Sequence, residues 1–344
     1  MKKLKNLLIT LVKVSLSLLI VGYLLWSALK KPDDRAAFGE MLLQPKRWDL
    51  LATAFLVMLG GIVITLLRWC YLVRAVGIPF SLADALRIGF LGYLFNLAPA
   101  GVVGGDVLKA WMVSREKPGT RAGAFASVIV DRIVGLYVLF LVATGGIFVT
   151  GFWKLPDREA HWICIGVIAA TAAATAGITW LLLPGVLEGP FIQSMTRIPK
   201  IGRAIGSLLD ALRIYRSNRT VLFASALMTI PVHTCLTVSV FVIALGLRFT
   251  TLPCVDYFAI FPVSSIATTI PLAAGPTEYC ITLFYSQAIL QVANGAKEIA
   301  RAAQDGLMLA LVYRLSTILI APIGAAYYFM GGRSEVTEVL HEEE

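Results

Sequence analysis

Two carboxylates sit in matching surroundings far apart in the chain. Asp106 closes the stretch Asn96-Leu-Ala-Pro-Ala-Gly-Val-Val-Gly-Gly-Asp106, and Glu278 closes Pro271-Leu-Ala-Ala-Gly-Pro-Thr-Glu278. Each follows a proline, Pro99 or Pro271, with glycine in between. Proline ends a helix and glycine lets the backbone turn, so each stretch reads as a helix end, a turn and a new helix start. Free N–H groups at a helix start suit an anion such as a lipid phosphate, and Gly104 and Gly105 would bring such groups together. Asp106 would then either cap that helix end or hold a cationic group. In the second stretch Pro276 suits the first helical position, Glu278 stands one turn in, and Thr277 adds a hydroxyl.

The cations that could face these carboxylates also come in corresponding places. Val130-Asp-Arg-Ile133 parallels Val312-Tyr-Arg-Leu315. A charge inside an apolar membrane segment costs about 2.5–3.5 kcal/mol at mid-depth, so Arg68, Asp131, Arg132 and Arg314 are expected to face the protein interior. Arg132 and Arg314 would either pair with Asp106 and Glu278 or present guanidinium forks to a phosphate. Internal ion pairs that only fix helix packing are the competing reading. Lys109 lies close to Asp106, whereas ordinary juxtamembrane anchoring explains most of Arg87, Arg115 and Arg121. The candidate substrate-binding residues are therefore Asp106, Glu278, Arg132, Arg314, Lys109 and Asp131. Pro99, Gly101, Gly104, Gly105, Pro271, Gly275 and Pro276 are the candidate turn residues.

No enzymatic constellation accompanies them. His161, His233 and His341 are far apart, and Cys70, Cys164, Cys235, Cys254 and Cys280 form no CxxC pair. There is no serine-nucleophile motif, P-loop or dinucleotide fingerprint. The expectation is a transporter that is not an enzyme and needs neither metal nor cofactor.

The elements that must position these residues belong to a membrane. Of 344 residues, 58% are hydrophobic and 15% charged, too apolar for a water-soluble domain of this length. About 20 apolar helical residues cross a hydrocarbon core of about 30 Å. Full spans are expected at about Leu4 to Leu29, Leu51 to Val76, Ala122 to Thr150, Trp162 to Leu183, Val221 to Leu247 and Leu307 to Met330. The first outruns the apolar core of a signal peptide and lacks a clear Ala-x-Ala site, so it reads as a retained anchor, with Lys13 snorkelling to the headgroups. Ser81 to Val113 and Thr250 to Ala293 are apolar but interrupted, and these hold the two carboxylates.

Self-similarity extends beyond the hairpins, because Ala75-Val-Gly-Ile-Pro-Phe-Ser81 parallels Ala244-Leu-Gly-Leu-Arg-Phe-Thr250. An odd number of crossings separates equivalent points, so the copies should run in opposite directions. The expected fold is an all-α polytopic membrane bundle, an inverted repeat with two re-entrant or broken hairpins, as in alternating-access transporters. The chain divides into an N-terminal anchor helix (1–30), a first repeat (51–150), a basic amphipathic connector (184–220), a second repeat (221–330) and an acidic tail (331–344), all within one membrane domain.

Arg197, Lys200, Arg203, Arg213, Arg216 and Arg219 in the connector, with the lysine-rich start, place both termini in the cytoplasm by the positive-inside rule. The loop from Lys30 to Asp49, also basic, runs against that assignment. The formal charge of +9 gathers beside spans, which points to anionic lipid rather than nucleic acid. The cell (inner) membrane is the expected location, and a lipid-biosynthesis enzyme is a candidate partner.

The stretch Pro99-Ala-Gly-Val-Val-Gly-Gly-Asp-Val-Leu-Lys-Ala-Trp111 resembles the flippase-like family defined by the transmembrane region of lysylphosphatidylglycerol synthases. A Gly-Gly-Asp followed by a basic and an aromatic residue is typical there, and maps onto Gly104, Gly105, Asp106, Lys109 and Trp111. The family's second signature, a glycine-rich turn leading to a glutamate, is met in outline by Pro271 to Glu278, with Gly275 and Pro276 where more glycine is usual. The resemblance covers nearly the whole chain and implies two re-entrant hairpins around a central cavity and a role in moving lipids. It does not imply synthase activity, which in full-length relatives belongs to a separate cytoplasmic domain. Translocation of a lipid or lipid-linked precursor is the leading reading. The alternatives are an ion-coupled small-solute transporter and a membrane-embedded subunit that modifies lipid headgroups.

Overall fold

The computed structural model describes residues 43–96, 102–117, 119–183, 218–249, 252–270, 274–293 and 295–329, with scattered positions elsewhere, among them Ile20, 22–26 and 213–216. Most of these residues are helical, and no strand occurs among them. Helix α1 (Trp48–Ala75) leads into a broken pair, α2 (Leu82–Asn96) and α3 (Val102–Glu116), then α4 (Arg121–Thr150) and α5 (Arg158–Leu182). After the connector come α6 (Arg219–Leu247), a second broken pair, α7 (Cys254–Ile266) and α8 (Pro276–Val292), and the long α9 (Ala296–Tyr327). Among the described residues, five helices are long and apolar enough to cross a membrane: α1, α4, α5, α6 and α9. They match five of the expected spans, and Leu4 to Leu29 falls largely outside the described residues.

Local chemistry sets several boundaries. Gly77 (φ +81°) turns the chain after α1, and Gly151 (φ +75°) ends α4 in the left-handed conformation, its N–H donating to the Ile147 carbonyl. The Asp157 carboxylate caps α5 by accepting the Ala160 N–H at 2.8 Å. The Arg47 N–H donates to the Gly246 carbonyl at 2.9 Å and ties the start of α1 to the end of α6.

Packing follows one scheme twice. Helices α1 and α6 lie against each other. Helix α2 packs on α9 as α7 packs on α4, and α3 packs on α4 as α8 packs on α9. Exchanging α1 with α6, α2 with α7, α3 with α8 and α4 with α9 reproduces these contacts. The two long crossings are made where glycine lets backbones touch. A Cβ on Gly146 of α4 would lie 2.1 Å from the Phe258 carbonyl oxygen of α7, and one on Gly324 of α9 would lie 2.2 Å from that of Phe90 in α2. The core of the second broken pair is aromatic: Tyr257, Phe261, Phe284 and Tyr285 are fully buried.

Candidate functional site

The first broken pair brings α3 under α4. Helix α3 begins at Val102, so Asp106 is its fifth residue and not its cap, a correction to one of the two roles open from sequence. Gly104 and Gly105 likewise lie inside the helix instead of in the turn. Gly105 serves close approach: a Cβ there would sit 2.1 Å from the Gly92 carbonyl oxygen, and its N–H donates to Asn96 Oδ1 at 3.1 Å. Pro99, Gly101 and Pro271 lie outside the described residues.

With α3 held this way, Asp106 points at Arg132. Arg132 Nε donates to Oδ2 at 2.5 Å and Nη2 to Oδ1 at 2.6 Å, a two-pronged geometry that fixes both side chains. Lys109, one turn on, stands 3.8 Å from the same carboxylate. Its ammonium also sits over the Trp69 ring, 5.4 Å from the centroid. Asp106 and Lys109 are nearly enclosed, whereas the Arg132 side chain is 47% exposed and forms the open side of the cluster.

Asp131, adjacent to Arg132 in sequence, faces elsewhere. Its carboxylate accepts from Arg68 Nε at 2.8 Å, its carbonyl accepts from Nη2 at 3.2 Å, and Arg68 Nη1 donates to Thr229 Oγ1 at 2.6 Å. This buried network joins α1, α4 and α6. Gly135, one turn beyond Asp131, leaves room for the guanidinium, since a Cβ there would lie 3.2 Å from Nη2.

The second broken pair repeats the first arrangement with a different charge count. Gly275 (φ +116°) forms the turn, and Pro276 takes the first position of α8, where a missing N–H costs nothing. Glu278 folds back so that Oε2 accepts the Gly275 N–H at 2.6 Å, and Oε1 accepts from Arg314 Nε of α9. The Glu278 side chain is 3% exposed. Arg314 falls at the middle of the membrane-length stretch Arg301–Tyr327. Tyr313 beside it packs edge-on against Phe261, with centroids 4.9 Å apart.

Both arginines thus meet the carboxylate of their own half, and among the described residues no ion pair joins the two centres. The flanking cations are placed as well. Arg87 pairs with Glu116, and Arg115 lies over the Trp111 ring, 5.3 Å from its centroid. His161 Nδ1 meets the Trp153 carbonyl at 2.7 Å, and His233 Nε2 the Gly135 carbonyl at 3.2 Å. Among the described residues no group of histidine, cysteine or acidic side chains could hold a metal ion. Sequence reading missed Thr229 and Trp69, because a hydroxyl or an indole in an apolar helix carries no pattern of its own.

The fold and these buried charges define a multi-pass α-helical membrane protein. Residues 11–324 match the family described as the lysylphosphatidylglycerol synthase TM region, and the chain belongs to that family. It is also similar to the UPF0104 membrane protein MJ1595 of Methanocaldococcus jannaschii, 25% identical over 156 residues. That match spans 44% of this chain and 44% of the relative, so less than half of either. No solved structure matches it.

Proposed function

We propose that this protein translocates a lipid or lipid-linked precursor bearing an anionic headgroup, working as a flippase-like transporter and not as an enzyme. One observation carries the reading: two broken helical pairs each aim a carboxylate at an arginine on a membrane-length helix of the same half. Paired discontinuous helices in related halves are the construction on which alternating-access transporters are built, and an inverted relation of the halves belongs to this proposal. The Asp106 cluster holds two cations and one carboxylate, so a phosphate could take up Arg132 as Asp106 turns to Lys109. Acyl or prenyl chains would stay in the bilayer. The positive-inside pattern supports a cell (inner) membrane location with both termini cytoplasmic. A lipid-biosynthesis enzyme as supplier or consumer of the lipid is part of the same reading.

The test is flip of labelled phospholipids and polyprenyl phosphates in liposomes holding the purified protein, comparing wild type with Asp106→Asn/Glu278→Gln. Flip by wild type that the double variant loses is the expected result. No flip of any lipid by wild type would move the assignment to solute transport or to a partner-dependent role.

A further inference from the structure

A second feature lies away from both centres. Helices α5 and α6 both pack on α4, and a groove of about 340 Å³ runs between them, with Val134, Ile178 and Phe223 among its apolar walls. Arg216 and Arg219 line it as well, at the start of α6. The groove is a built feature of the fold. Tyr137, in its wall, is tied across to α5 through Thr175 at 3.1 Å. The short helical stretch 213–216 is pinned by Tyr215, which is fully buried and donates to the Leu72 carbonyl of α1 at 2.8 Å. Arg216 follows that anchor directly, and Arg219, the first residue of α6, lines the same trough. Phe223 is 71% exposed and leaves the outer side of the trough facing whatever surrounds the bundle.

An apolar groove lined by two arginines matches the chemistry of an anionic phospholipid: an apolar chain with a phosphate at one end. We infer that this groove holds an anionic phospholipid of the leaflet at the connector end of α6, its acyl chain along Val134, Ile178 and Phe223 and its phosphate at Arg216 and Arg219. The site is independent of the transport reading and asks nothing of Asp106 or Glu278.

The test is native mass spectrometry of the full chain, purified in detergent and exposed to equal amounts of phosphatidylglycerol and phosphatidylcholine. Wild type is expected to retain phosphatidylglycerol preferentially. Arg219→Gln should cut that preference about fivefold, and Arg216→Gln/Arg219→Gln by a further similar factor, from about 1 kcal/mol per basic residue near a charged headgroup. The comparison is made also in the Asp106→Asn/Glu278→Gln background, so that lipid held at the transport site is not counted, and there Ala226→Trp, which fills the groove, should lose both lipids. Equal retention of the two lipids by wild type overturns the site, as does a preference that survives the double arginine change in the Asp106→Asn/Glu278→Gln background. Retention unchanged in Ala226→Trp would overturn its placement. Arg219 is an exposed residue at a helix start, so the single variant keeps the question answerable if the others fail to fold.

Discussion

At Asp106 two cations share one carboxylate, and at Glu278 a single arginine meets a carboxylate that also accepts a backbone N–H. The contrast extends into the neighbouring helices. Where α4 has Asp131, the matching place in α9 is Tyr313, and in the register that pairs Ala75 with Ala244, Arg68 falls opposite Thr237. One half is therefore locked by a buried ion pair, the other by an aromatic contact between Tyr313 and Phe261. Helix crossings can stay the same while charge diverges, because packing depends on shape along the seam and charge on single positions. The first half keeps a surplus positive charge with an open side. The second is neutral and closed.

The largest expected effect sets the arginines against each other. Arg314→Leu strands Glu278, which is almost fully enclosed, and removing one partner of a buried pair costs about 3–5 kcal/mol. Arg132→Leu leaves Asp106 beside Lys109, and the lost guanidinium was half in the open, so about 1–2 kcal/mol is expected. Thermal unfolding of the two variants in detergent should rank them in that order. Equal losses would break the distinction between a closed centre and an open one.

Next is the ion-pair lock of the first half. Arg68→Met should destabilise by about 3 kcal/mol, because Asp131 is left buried without its partner. Arg68→Met/Asp131→Leu should recover most of that loss, since apolar replacement of a whole buried pair is often neutral. Lipid flip in the double variant should remain. If flip is lost while stability returns, Asp131 belongs to the working site and not only to the lock.

Much of this was legible in the sequence because charges are scarce in apolar helices. With so few candidates, Asp106, Arg132, Glu278 and Arg314 stood out from spacing and repeat alone, with pairing as one of two roles open to the arginines. The five spans among the described residues were legible for the same reason, since long apolar runs have few alternatives. Other parts were not. Gly104 and Gly105 look like turn residues, yet Gly105 is needed for contact with Gly92, a property of the neighbouring helix that no local pattern carries. That Arg68 would choose Asp131, and that Thr229 would complete the pair, depends on which faces of α1, α4 and α6 meet. Tyr215 reads as one more amphipathic residue until its hydroxyl is seen on the Leu72 carbonyl.

The crossings offer a control in which the halves should agree. Gly146→Ala and Gly324→Ala each force a methyl group against a backbone carbonyl that cannot rotate away. Overpacking of this kind costs about 1–3 kcal/mol, and the two losses should be similar in the same unfolding measurement. A large cost at one crossing and none at the other would mean that the halves differ in their packing as well as in their charge.

The smallest effect expected is at Trp69, which has only Val238 opposite it in the register that pairs Ala75 with Ala244. Its ring carries the Lys109 ammonium on one face and packs edge-on with Phe80, centroids 5.2 Å apart, while its buried Nε1 has no hydrogen-bond partner. Trp69→Phe removes that unpaired N–H, a gain of about 1–3 kcal/mol, and loses contact area together with part of a cation–π attraction of about 0.5–2 kcal/mol. These terms oppose each other, so the net change in stability should stay within about 1 kcal/mol. Lys109 would be less firmly held, and flip of anionic lipid should fall more than the unfolding temperature does. A change in stability with no change in flip would make Trp69 a packing residue whose ring is not needed to hold Lys109 at Asp106.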